Sequence, residues 1–283
     1  MSTVGIVGNG FVGNAIAVGL FGFVDDVKIY DKNPARSMHE LSDVVNQSDI
    51  VFVSVPTPME NVLGGKIDLS ILESALSDVS KALKSDTVIV VKSTIVPGTM
   101  ESFQEKFPEL RLVFSPEFLT ERYAKLDFIN SSRIVLGGDE ADVAVVHNVL
   151  KHRFPGTKFI HTDFATAQLT KYMANCFFSV KVSFMNEMKQ TCDAVGANWD
   201  EAIAGFISDG RIGNSHINVP GHDGQLGFGG KCFPKDLNAM MFRCEELGVD
   251  PVVMAAAWKK NLEVRKTLDW SEIEGAVSDK AGL

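Results

Sequence analysis

Between Val4 and Val24 the chain carries no charged side chain, and six glycines punctuate the run. A stretch of that length meets the window criterion for a membrane span. Its regular glycines do not suit a lipid-facing helix, however, and no basic leader precedes it. The reading that fits is strand, tight turn and helix: apolar Val4–Val7, then at once Gly8-Asn9-Gly10-Phe11-Val12-Gly13. In such a turn Gly8 reverses the chain, Gly10 lets the backbone approach a pyrophosphate, and Gly13 lets helix and strand pack closely. The phosphates then lie on the helix N-terminus. Asp31 closes the next apolar run, 18 residues after Gly13, where a carboxylate accepts the ribose hydroxyls of NAD and repels the extra phosphate of NADP. The plainer alternative is a glycine-rich turn with a surface aspartate.

The rest of the chain places this unit in an α/β protein. Short apolar runs, Val27–Tyr30, Ile50–Val55, Val88–Val91 and Leu112–Phe114, alternate with helical patterns, which implies a parallel sheet covered on both faces. Ser70–Leu83 is one such helix, with Ile71, Leu72, Ala75, Leu76, Val79 and Leu83 on one stripe. Arg133–Leu136 extends the sheet. After Asp163, an N-cap, Phe164–Val195 reads as one long helix stopped by Gly196. Helical patterns follow at Trp199–Phe206, Pro234–Leu247 and Pro251–Leu268. The expected organisation is a Rossmann-type dinucleotide-binding domain over 1–160 and a mostly α-helical domain over 161–283 with a long central helix. Ile207–Cys232, rich in glycine, has no helical or strand period and reads as a functional loop or a disordered linker.

The 283 residues carry 27 basic and 36 acidic side chains, a net charge of -9. That argues against nucleic acid as a partner, because a phosphate backbone requires clustered Lys and Arg. Cys176, Cys192, Cys232 and Cys244 are too sparse for a disulfide scaffold and lack zinc-site spacing, so no metal is expected. Reduced thiols and the absence of another membrane candidate point to the cytoplasm.

A second chemical cluster is Gly227-Phe228-Gly229-Gly230-Lys231-Cys232-Phe233-Pro234-Lys235-Asp236. Pro234 suits a first helical turn, which places Cys232 at a helix N-terminus. Positive potential there favours a thiolate, making Cys232 a candidate nucleophile, with Asp236 one turn away. The alternative is a small buried hydrophobe. Lys171 and Asn175, spaced i and i+4, share one helix face, either toward a ligand or as a solvated edge. Glu117 and Glu121, in S-P-E-F-L-T-E, follow a strand at the end where ligands bind in open α/β sheets.

Taken together, these clusters resemble the UDP-glucose/GDP-mannose dehydrogenase family. The likeness runs in order through G-N-G-F-V-G, V-P-T-P at Val55–Pro58, K-S-T-I-V-P-G-T at Lys92–Thr99 and S-P-E-F-L-T-E at Ser115–Glu121. It continues through Lys171 and Asn175, R-I-G-N at Arg211–Asn214, and G-F-G-G-K-C-F-P-K-D. The resemblance implies NAD-dependent oxidation of a nucleotide-sugar C6 alcohol to a carboxylate, through a Cys232 thiohemiacetal and thioester. It implies proton and oxyanion handling by Lys171 and Asp236, a further donor in Asn175, help with hydrolysis from Glu117, and a water positioned by Thr94 with Asp236. Asn9, Phe11, Val12, Lys32, Thr57, Thr94, Glu121 and Lys235 are the further implied cofactor contacts, beside the three glycines and Asp31. Phe118, Leu119, Asn218, Phe228 and Gly229 match positions lining the sugar nucleotide, with Glu117, Lys171 and Asn175. Arg211 matches an arginine that can come from a neighbouring subunit, implying a homodimer through the central helix.

The chain departs from the family's pattern in two places. Members continue into a third, nucleotide-binding domain, whereas Ser271–Leu283 holds neither a glycine-rich turn nor a new strand, as expected of a short form or a fragment. Ser215–Leu226, with His216 and His222 read as solvated, is longer than usual. UDP-glucose is the expected substrate, since C-F-P-K-D fits it or GDP-mannose better than acetamido sugars. Rival readings are a β-hydroxyacid dehydrogenase, which needs no thiol nucleophile, and a non-catalytic NAD-binding partner, which would not be expected to retain Lys171, Asn175, Cys232 and Asp236.

Overall fold

The computed structural model describes residues 2–278, apart from the side chain of Glu121. Seven strands, β1 Thr3–Val7, β2 Asp26–Tyr30, β3 Ile50–Val53, β4 Val88–Val91, β5 Arg111–Phe114, β6 Arg133–Gly138 and β7 Lys158–Thr162, form one sheet. Their order is β2-β1-β3-β4-β5-β6-β7. The helices are α1 Phe11–Leu20, α2 Leu41–Asn46, α3 Ser70–Ala82, α4 Thr99–Lys106, α5 Ala124–Ile129, α6 Glu140–Lys151, α7 Phe164–Val195, α8 Trp199–Ile207, α9 Phe233–Glu246 and α10 Val252–Val264.

The chain divides into two compact units, Met1–Thr57 with Asp68–Lys171, and Pro58–Ile67 with Tyr172–Leu283. In the first, β1 lies between β2 and β3, so the strand order reverses beside β1. Ligand crevices in open α/β sheets form at such a reversal, at the carboxyl ends of the strands. Every residue of β3 and β4 is buried, and alternate side chains feed two apolar layers. Phe52 and Val90 pack with Ile16 and Leu20 on one face, and Val51 and Ile89 with Leu72 and Leu76 on the other. The α3 stripe forms around Leu72, Leu76 and Val79, whereas Ile71, expected on it, is 43% exposed.

The sheet is mixed rather than wholly parallel. β6 pairs antiparallel with β5 through Val113–Gly138 and Phe114–Gly137, and β7 runs parallel to β6. Six-residue α5 lies in the connection between β5 and β6. β7 has no apolar run to reveal it, since its side chains are half-buried or exposed.

The uncharged run Val4–Val24 holds most of β1 and all of α1. Among the described residues no helix is long and apolar enough to cross a membrane. Asp163 caps α7 by accepting from Thr166 N at 2.7 Å, and after α7 ends at Val195 the Ala197 N–H donates back to Cys192 O. In the second unit α10 stops at Val264, short of the expected Leu268, because Arg265 turns into extended backbone. Residues 279–283 of the tail lie outside the described residues.

Candidate active site

Gly8 adopts φ +93° and ends β1 in the tight turn its position predicts. A Cβ on Gly13 would overlap Gly8 O, so only glycine allows α1 to start this close to the strand. At Gly10, the N-cap of α1, nothing stands within 4 Å of where a Cβ would be, and no side chain caps the helix. Its first N–H groups are thus left for an anion. Asp31 accepts from Asn9 N at 2.7 Å and from Asn33 N at 2.8 Å. Asn9 Oδ1 is buried without a partner. Phe11 and Val12 pack against the first apolar layer, while Lys32 is exposed. Thr57 donates to Thr94 O at 2.9 Å, tying V-P-T-P to K-S-T-I.

Beyond β5 the first unit buries a group of charges. Glu117 accepts from Lys171 Nζ at 2.8 Å and, through its other oxygen, from Leu119 N at 2.7 Å. Phe118 lies under the Arg133 guanidinium, 3.9 Å from its centroid, with Lys171 Nζ at 5.7 Å. Lys92, not singled out from the sequence, donates to Ser115 Oγ at 3.3 Å and Pro116 O at 3.2 Å. Burial pulls its ammonium down to about 8, with Glu117 opposing and Lys171 adding to the shift. Its signal was available as the first residue of K-S-T-I-V-P-G-T. A cavity of about 310 Å³ opens beside Lys92, Glu117, Phe118 and Arg133. Glu121 begins a 3-10 turn, and its side chain lies outside the described residues.

The second unit holds the thiol. Cys232 is the N-cap of α9, half-buried, and its carbonyl accepts from Asp236 N at 2.8 Å. The Asp236 carboxylate is 1% exposed. Asn175 Nδ2 donates to its Oδ2 at 2.5 Å, and Lys235 Nζ lies 2.8 Å from Oδ1 as an ion pair without hydrogen-bond angles. Lys235, an expected cofactor contact, is thus paired with Asp236. Tyr172 escaped sequence reasoning because an aromatic on an apolar helix reads as core. Its hydroxyl is buried without a partner, and burial, reinforced by Asp236, pushes it well up. Burial likewise pushes the Cys176 thiol far up, as expected of an inert buried cysteine.

Around the glycine loop, Phe228 is buried edge-on against Phe233, and Gly229 packs on Arg265. Asn218 is exposed, as is Arg211, whose guanidinium is held by Asp209. His216 is not the solvated residue expected. It is half-buried, stacked on Phe178 at 4.1 Å, and its imidazolium is disfavoured by burial first and then by Lys181. No group of three metal-ligating side chains gathers among the described residues.

Comparison with known proteins gives this geometry a context. The NAD binding domain of the UDP-glucose/GDP-mannose dehydrogenase family matches residues 35–154, and the family's central domain matches residues 165–263. A UDP-glucose 6-dehydrogenase of Rickettsia conorii is 32% identical over 221 residues, covering 77% of this chain and 50% of the relative. The chain therefore spans about half the length of the curated relatives it matches. A UDP-glucose dehydrogenase structure from Pyrobaculum islandicum superposes with a TM-score of 0.81 at 27% identity, over 92% of this chain and 68% of that one. A 3-hydroxyisobutyrate dehydrogenase of Mycobacterium tuberculosis shares the fold, at 0.75 and 18% identity over 92% of both chains. With two domains of one family matched in order across most of its length, the chain belongs to the UDP-glucose/GDP-mannose dehydrogenase family.

Proposed function

We propose that this protein oxidises the C6 alcohol of UDP-glucose to the carboxylate with NAD, through covalent catalysis by Cys232. The observation that carries the reading is Cys232 at the N-cap of α9, one turn before an Asp236 carboxylate held by Asn175 and Lys235. A β-hydroxyacid dehydrogenase with the same fold has no use for that thiol.

The residues of the first unit fit NAD. The open Gly10 approach and the uncapped N–H groups at the start of α1 suit a pyrophosphate, and Asp31 presents a carboxylate to the ribose. When bound, NAD supplies the hydride acceptor, once for each of the two oxidations. Lys171 and Asp236 handle the C6 proton and stabilise the oxyanion, with Asn175 as an added donor. Cys232 adds through its thiolate to the aldehyde carbon, so that the aldehyde is held as a thiohemiacetal and then a thioester. Glu117 assists the attack of water, which Thr94 and Asp236 orient. Hydrolysis frees the carboxylate and returns the thiol.

A homodimer through α7 belongs to the same proposal. Met173, Phe177 and Phe184 form an apolar stripe on α7, exposed by 65, 62 and 48%. The cysteines, none in a disulfide, support a reducing compartment such as the cytoplasm.

The test offers purified protein NAD with UDP-glucose, GDP-mannose or 3-hydroxyisobutyrate and follows NADH absorbance. Two NADH per UDP-glucose consumed is the expected result. Turnover of 3-hydroxyisobutyrate alone, or NAD binding with no turnover, overturns the reading.

A further inference from the structure

The loop that leads into Cys232 has almost no regular backbone pairing of its own, and side chains of the second unit supply the partners. Asn186 Oδ1 accepts from Gly227 N at 3.1 Å. Asn261 grips Phe228 on both sides, accepting from its N–H at 2.7 Å and donating to its carbonyl at 3.0 Å. Asp269 Oδ2 accepts from Gly230 N at 3.0 Å. At the centre stands Arg265, whose side chain is 2% exposed. Its Nε donates to Thr267 O and Asp269 Oδ1, each at 3.1 Å, and its Nη1 to Leu226 O at 3.3 Å. Nη2 reaches both Asp269 Oδ1 and Asp223 Oδ2 at 2.8 Å. A Cβ on Gly229 would overlap this guanidinium, so the loop backbone lies directly against it.

From this we infer that Arg265 is a positioning residue for the Cys232 loop, setting the place of the thiol through backbone it holds at Leu226 and through Asp269 at Gly230. The inference rests on Cys232 as the reacting thiol. A planar fork with several donors is required, because one side chain must satisfy two carboxylates and two carbonyls that point from different directions. Asp223 lies in the loop ahead of Cys232, so that stretch is anchored to the same guanidinium. Burial is the largest single influence on Asp223 and works against its ionisation, but the Arg265 hydrogen bond, the Gln225 N–H and the Arg265 charge together outweigh it, leaving the carboxyl below its ordinary range.

The experiment compares wild type with Arg265→Lys, which keeps the charge and loses the fork. Iodoacetamide labelling of each cysteine is followed by peptide mass spectrometry, alongside kcat, the KM for NAD and thermal unfolding. In the variant we expect Cys232 to label at least about threefold faster while buried Cys176 and Cys192 keep their rates, and kcat to fall about tenfold with the KM for NAD unchanged. Equal labelling of Cys232 in a folded variant overturns the inference. Accelerated labelling of all the cysteines marks general loosening, and Asp223→Asn then decides. That change leaves Arg265 on Asp269, and wild-type labelling and kcat in it would overturn the inference, whereas selective acceleration at Cys232 upholds it. Labelling needs no turnover, so a protein that oxidises no nucleotide sugar would defeat the proposed function and still leave this test readable.

Discussion

Lys171 Nζ and Glu117 Oε1 lie 2.8 Å apart, with their side chains only 3% and 5% exposed. A pair this dry is held by geometry as much as by charge, because removing either partner strands the other without water. Glu117 keeps its second oxygen on Leu119 N, so the carboxylate is fixed at both ends. In the proposed reaction it acts only on the last step.

Glu117→Gln should therefore separate oxidation from hydrolysis. We expect a rapid burst of NADH followed by steady turnover slowed about 100-fold, with a sugar-nucleotide adduct on Cys232 visible by intact mass. Steady turnover at the wild-type rate would remove Glu117 from the hydrolytic step.

Cys232→Ser should abolish carboxylate formation and leave NAD binding intact, since the thiol lies outside the glycine turn proposed to hold NAD. Product analysis with UDP-glucose checks the first half and NAD titration the second. Unchanged glucuronate production would sink the covalent route.

Asp31→Ala should weaken NAD binding by about tenfold or more, the worth of one charge-assisted pair of hydrogen bonds. It also removes the acceptor for Asn9 N, so the glycine turn loses a brace in the same step. Equal NAD affinity by calorimetry would place the ribose elsewhere.

Lys92 gives a pH signature. Burial lowers its folded value to about 8, below the 10.5 of an exposed lysine. Between those values the unfolded chain binds more protons, so folded stability rises with pH across that window and the cost of the buried charge is fully present below it. Relative to Lys92→Met, the wild type should gain up to about 3 kcal/mol between pH 8 and 10.5 in chemical denaturation. A difference that stays flat with pH would contradict this.

Phe177 is 62% exposed on α7. Phe177→Glu puts a charge in the proposed dimer contact and should yield monomers by light scattering, with the fold kept by circular dichroism. A wild-type monomer, or an unaltered dimer in the variant, would exclude α7 as the interface.

Much of the site could be read from the chain because its signals are local. Gly8, Gly10 and Gly13 announce a turn through backbone geometry confined to a few residues, and Asp163 and Gly196 mark the ends of α7 in the same way. Pro234 likewise locates the start of α9 and with it Cys232. Antiparallel β6, edge strand β7 and the protruding Ile71 were not legible, since pairing direction and exposure depend on what else packs nearby. A lone lysine or tyrosine in a sequence shows nothing of its burial, which hides Lys92 and Tyr172, and nothing local to His216 announces that Phe178 stacks on it.

By itself, then, the sequence determined the α/β class, the glycine turn between β1 and α1, the thiol at a helix start and the family, all of them properties of short segments in order. The tertiary structure alone decided the partners. Lys171 meets Glu117 across 54 residues and Asn175 meets Asp236 across 61. Arg265 reaches Asp223 across 42. Such contacts form only when distant elements pack, and burial then sets their charge states, which no local pattern encodes.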